Sequence, residues 1–243
     1  TIPSVKNTEP AAWIKTIVGT DQLPIFGKTF AHTGAFQLNI DYMDGMFNGT
    51  TSPTGKNELF YVALHEIGHI LGIGSLTFAS SQILQKPVVN YTDDDDGQTK
   101  MYYNGENALR EYKAAFSSKS GLVGVPVEDD GGRGTRDSHP EEGSGSVSSD
   151  DRFINGVHHP GLQHELMTGW SDASQGISLP MSRITLGFLE DIGFGVDYNL
   201  ADPYSESDLD DIFAPTPTAE FPPPIPLVTP TPTDVAGTNV KKN

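Results

Sequence analysis

The chain has 243 residues, with 15 Lys plus Arg against 32 Asp plus Glu, a formal charge of -17, and no cysteine. Such acidity repels phosphate backbones and anionic lipid surfaces; it argues against nucleic acid and membrane surfaces as partners and favours divalent cations. Without cysteine there are no disulfides, thiolate metal sites or cysteine nucleophiles, so any metal must be held by nitrogen and oxygen. The length suits one large domain or one domain in two lobes, enough to bury a sizeable core. Beginning at Thr1 rather than Met, the chain reads as a processed product or an excised fragment.

Residues 1 to 56 mix short apolar runs such as "TIVG" and "FQLNID" with Gly and Pro, a pattern that predicts a few strands joined by turns. From Asn57, a candidate N-cap, Phe60, Leu64, Ile67 and Leu71 recur at helical spacing until Gly72 and Gly74 end the pattern. Residues 75 to 180 are poor in periodicity and read mostly as loop, with "GENALREYKAAF" as a helix in their midst. "SRITLGFLEDIG" predicts a last helix, with Ser182 as N-cap and Gly193 just past its end. From about Ala214 the chain becomes a Pro/Thr-rich linker or tail with no periodic apolar positions. The domain reading is therefore 1–74, 75–210 and 211–243, in the α+β class.

The first helix carries "LHEIGHILG". Residues four apart lie on one face of a helix, so the imidazoles of His65 and His69 converge on one ion. Glu66, one residue on, is placed to act as a base on water rather than as a ligand. Zinc suits such a pair, and the chemistry implied is hydrolysis of peptide bonds by activated water. The bland alternative is an ordinary buried helix, but an apolar frame makes an unpartnered carboxylate costly there.

Two histidines do not complete a site. The short pattern HExxHxxGxxH retains its glycine as Gly72 but has Ser75 where the third histidine would stand, so the third ligand comes from farther along. Here the sequence resembles the leishmanolysin-like metzincin peptidases, in which a long insertion separates that glycine from the third histidine. The resemblance lies in "LHEIGHILGIGSL", in "HELMTGW" with "LPMSRITLGFLEDIGFGVDYNLADPY", less closely in "GENALREY" and "VPVEDDGGRGTRDSHPEE", and weakly in "WIKTIVGTDQLP", covering most of residues 11 to 204. It implies a zincin fold with an N-terminal mixed sheet, an active-site helix and a loop-rich C-terminal lobe, and one catalytic zinc ion. It carries the third-ligand role onto His139 and a turn beneath the metal onto Met167, which packs without coordinating. Pro140 stands where relatives have Trp, and "GSGSVSSDDRFINGVHHPGLQ" is extra sequence, which leaves His158 and His159 as rivals for the third ligand. His164 reads as a surface or supporting histidine, and His32 has no motif around it.

Three functions compete. A secreted or surface zinc endopeptidase would bind a protein or peptide substrate extended along an edge strand. A non-catalytic structural or adhesive module would keep zinc for stability and be displayed on the Pro/Thr-rich tail, which could also attach it to a larger assembly. A protease of another clan would use Glu190 as third ligand. The run Asp93 to Asp96, followed by Gly97, offers oxygen ligands of the kind calcium takes but lacks the full loop spacing, so a solvated loop is the plainer reading. Asn48 and Asn90 begin N-glycosylation patterns that composition alone explains.

Overall fold

A computed structural model describes residues 40–74, 88–132, 134–143, 152–171, 173–209 and 219–220. Over these the protein is mixed α and β with antiparallel sheets. The expected N-terminal sheet falls mostly outside the described residues, as do His32 and Ser75. The described end of that zone is helical rather than extended: α1 runs Ile40–Asn48, its last turn tied by Asn48 Nδ2 donating to Asp44 at 2.7 Å.

Helix α2, Glu58–Leu71, begins and ends on the expected signals. Asn57 is the N-cap, its side-chain oxygen accepting from Phe60 N–H at 3.0 Å, and Glu58 places a negative charge on the first turn. Gly72 ends it at φ 119, where its N–H returns to Gly68 and His69 carbonyls. The buried face overlaps the apolar stripe only in part, with Leu64 and Leu71 half-buried against the core. Phe60 and Ile67 are each 41% exposed, while Tyr61, Val62, His65 and Gly68 are buried.

The zone expected to be mostly loop holds short strands. β1 (Val88–Thr92), β2 (Thr99–Tyr103) and β3 (Val125–Pro126) form an antiparallel sheet in that order, in the register Val88 to Tyr103 and Tyr102 to Pro126. β4 (Arg152–Ile154) and β5 (Val157–His159) make a hairpin from the extra sequence. Asn155 (φ 51) and Gly156 (φ 73) close it, since a two-residue turn matching the strand twist needs positive φ at both positions. The acidic run forms the β1–β2 turn and clasps this hairpin. Asp93 accepts from Phe153 N–H at 3.1 Å, Asp94 accepts from Gly156 N–H at 2.6 Å, and Asp94 N–H donates to the Phe153 carbonyl.

Helix α3, Glu106–Ala115, has no side-chain cap of its own because Gly105 stands at the N-cap. The Asp191 carboxylate, from the end of α4 (Arg183–Asp191), accepts the Asn107 and Ala108 N–H groups instead, at 2.9 and 3.1 Å. The two helices cross so closely at Gly187 that a Cβ there would lie 2.6 Å from the Ala108 Cα. Tyr103 meets Phe188 edge to face at 4.9 Å, and Tyr112, Phe116, Leu162 and Met167 complete a core in which each large side chain contributes roughly 1.5–3 kcal/mol. β6 (Trp170–Ser171) pairs with β7 (Ala219–Glu220), two residues of the Pro/Thr-rich segment. No helix among the described residues is long and apolar enough to cross a membrane.

Candidate metal centre

Three side chains meet below α2. His139 Nε2 lies 3.2 Å from His65 Nε2 and 3.0 Å from His69 Nε2, although 74 and 70 residues separate it from them in sequence. His65 and His139 are buried and His69 is half-buried.

Each ring is oriented through its other nitrogen. His65 Nδ1 donates to the Leu166 carbonyl at 2.7 Å, His69 Nδ1 to the Ile73 carbonyl at 2.7 Å, and His139 Nδ1 to the Thr135 carbonyl at 2.9 Å. A carbonyl can only accept, so all three Nδ1 atoms carry the proton and all three Nε2 atoms present lone pairs to one another. Three lone pairs at this separation repel unless a cation lies between them. Zinc–nitrogen bonds of about 2.0–2.1 Å at tetrahedral angles place neighbouring ligand atoms about 3.3 Å apart, so the donor set fits that ion in number, type and spacing. Burial pushes the three imidazoles below their usual range, His139 to about 3, which keeps them in the neutral form a metal requires.

The glycine after the second histidine has a definite task. At φ 119 Gly72 reverses the chain so that Ile73 turns its carbonyl back onto His69, and Gly74 at φ 151 passes close enough to the ring that a Cβ would lie 3.2 Å from Nδ1. On the other side, Leu166 and Met167 lie in a tight turn beneath α2. Met167 is fully buried, and its sulfur and Cε occupy the space a side chain on Gly68 would need. Glu66 is partly exposed, and burial raises its carboxyl above the usual range.

His139 reaches the cluster on a ladder. Glu128 N–H donates to the His139 carbonyl at 3.0 Å and Glu141 N–H to the Pro126 carbonyl at 2.9 Å, with Val127 bridging Pro140. Pro140 fits because neither of those bonds uses its missing N–H. The rivals stay elsewhere. His158 and His159 pair with Phe153 and Arg152 in the β4–β5 hairpin, where His158 stacks on Phe153 and His159 Nε2 accepts from Val123 N–H at 3.1 Å. Glu190 is taken by the Tyr198 hydroxyl at 2.6 Å and Arg110 at 3.4 Å, so it does not reach the histidines. His164 is buried at φ 63, its N–H donating to Glu142 at 2.8 Å.

Several residues that shape the site were given no role by the sequence pattern, Glu165 among them although it stands in "HELMTGW". Glu165, fully buried, accepts four hydrogen bonds: Met167 N–H on one oxygen, and Ser182 N–H, Ser182 Oγ and Thr185 Oγ1 on the other. A second group, Glu128, Asp129 and Glu141, has the spacing of oxygen ligands, but Arg152 Nη2 already pairs with Asp129 and Glu141, and Lys100 with Asp129 at 2.6 Å. The carboxylates of Asp93, Asp94 and Asp96 accept backbone N–H groups, which gives the acidic run a structural task in the β1–β2 turn and the hairpin beside it. No family model matches the chain, and no curated protein does.

Proposed function

We propose that this protein is a zinc-dependent endopeptidase of the leishmanolysin-like metzincin type, acting on protein or peptide substrates outside the cell or at its surface. One observation supports it above the others: three Nε2 lone pairs meet at 3.0 and 3.2 Å, two of them from the helix that carries Glu66, each ring fixed by a backbone carbonyl. His65, His69 and His139 would hold the metal, and Met167 packs under it without ligating. Zinc bound there would supply a Lewis acid for the scissile carbonyl and lower the pKa of water toward neutrality.

The protein's own part is proton handling. Glu66 stands next to His65 on the helix, partly open to solvent, so a carboxylate oxygen can take the proton of the attacking water and return it to the departing amine. Its raised affinity for protons suits both steps, because a base nearer the working pH holds a proton long enough to pass it on. No residue has to form a covalent bond to substrate.

Replacing Glu66 by Gln, assayed for zinc content and for cleavage of a denatured protein, tests the reading. Bound zinc with cleavage reduced at least a hundredfold is expected, in line with the usual share of a general base. A wild-type protein that holds zinc and cuts nothing would instead favour the structural module.

A further inference from the structure

We infer that Glu165 is a positioning residue for the metal ligand His65, an inference that rests on the zinc reading of the site. Leu166, its neighbour, lends the carbonyl that receives His65 Nδ1–H at 2.7 Å, and Met167, one residue further, fills the space beside Gly68 on the same helix. Whatever fixes the internal shape of this three-residue turn therefore sets both the direction of the His65 ring and the floor of the site, while the Leu166 N–H bond to the Pro180 carbonyl keeps the turn on the fold independently of Glu165.

Glu165 holds it from two sides. Its Oε2 accepts Met167 N–H at 2.7 Å, which closes the turn on itself. Its Oε1 accepts Ser182 N–H at 3.0 Å, Ser182 Oγ at 2.7 Å and Thr185 Oγ1 at 2.6 Å, which ties the turn to the start of α4. All four partners are donors, so the site calls for an acceptor on both oxygens, and the carboxylate form provides it. Leu166 N–H also donates to the Pro180 carbonyl at 3.0 Å, so the segment is anchored to the same stretch of chain twice. A carbonyl that orients a metal-binding imidazole is worth about 10–100-fold in metal affinity when disturbed, and Glu165 controls where that carbonyl sits.

The two oxygens can be separated by substitution. In Glu165→Gln one carbonyl oxygen can still serve the three α4 donors, but the amide NH2 then faces Met167 N–H, donor against donor. In Glu165→Asp the shorter chain can still accept from the N–H two residues on, as an aspartate does in an Asx turn, but falls short of Ser182 and Thr185. Positioning and general support thus predict opposite orders for the two variants.

The experiment measures zinc affinity by competition with a chelating dye, the visible spectrum of the Co2+-loaded protein, and the thermal midpoint of the metal-free form. Glu165→Gln should bind zinc about tenfold or more weakly with an altered Co2+ spectrum while melting closer to wild type than Glu165→Asp, which loses three bonds to α4 rather than one within the turn. Glu165→Asp should melt lower yet keep wild-type affinity and spectrum. If affinity instead follows the melting temperature through both variants, Glu165 only supports the fold and the inference is overturned. Should Glu165→Gln fail to fold, Glu165→Asp decides alone, since a folded Asp variant with weakened zinc binding overturns the inference equally. Wild-type protein that binds no zinc, or binds it unchanged after His139→Ala, removes the zinc reading itself, an outcome seen without either Glu165 variant.

Discussion

Gly68 and Met167 share one space: a Cβ added to the glycine would overlap the methionine sulfur and lie 2.7 Å from its Cε, although 99 residues separate the two in sequence. The helix can approach the turn beneath it only because position 68 has no side chain. The second histidine is one residue further on, so this contact also sets how low His69 sits.

Gly68→Ala tests that contact. Alanine favours helix by about 1 kcal/mol, but overpacking typically costs about 1–3 kcal/mol, and the methionine that would have to give way is fully buried. Net destabilisation of up to about 2 kcal/mol in urea unfolding is expected, with weaker zinc binding. A variant as stable as wild type would show that the turn moves freely.

The choice among the distant histidines is tested by comparing His139→Ala with His159→Ala. The first removes one of three converging donors and should abolish stoichiometric zinc in elemental analysis. The second leaves the Val123 N–H without its acceptor, a cost of about 1–3 kcal/mol in stability, and should leave zinc content unchanged. Loss of zinc from the His159 variant alone would reverse the assignment.

Acid should weaken the metal-free protein. Burial holds His65, His69 and His139 below the usual value of 6.5, so between that value and the folded one the unfolded chain binds more protons. Stability from these groups is complete above about pH 6.5 and falls as the solution is acidified toward the folded value. The urea midpoint of chelator-treated protein should therefore drop from pH 7 to pH 5, and less so in His139→Ala. A midpoint equal at both values would contradict neutral buried imidazoles.

Arg152 neutralises buried acid beside the His139 ladder. It is 2% exposed and pairs with Glu141 and with Asp129, so Arg152→Met leaves a buried carboxyl without its hydrogen-bond partner, at about 1–3 kcal/mol. Burial pushes Glu141 up to about 8 while the Arg152 charge draws it down, so losing Arg152 raises it further, and variant and wild type part as pH rises through and beyond that value, where the wild-type pair is ionised. The variant's deficit, followed by denaturant unfolding, should accordingly be larger at pH 9 than at pH 5, and Glu141→Gln in the same chain should recover much of the added loss. A deficit independent of pH would point to lost packing rather than stranded charge.

The sequence by itself determined what depends on near neighbours. Helix α2 begins at its Asn57 cap and ends at Gly72, α4 begins at Ser182, and the four-residue spacing of His65 and His69 places both on one face, because capping and helical period act within a turn or two of chain. The tertiary structure decided the rest. Which face of α2 is buried followed from Met167 and the histidine cluster rather than from the apolar stripe alone, so Phe60 and Ile67 are exposed. His139 rather than His159 reaches the other two because the Glu128 to His139 ladder carries it there, while the β4–β5 hairpin holds its rival in a sheet. The ring orientations come from the carbonyls of Ile73, Leu166 and Thr135, and every residue has a carbonyl, so no side-chain pattern could mark these three. The roles of Glu165, visible only as a letter of "HELMTGW", and of Arg152 were equally hidden, since what a buried ionisable group does is legible only once the chain has folded its partners around it.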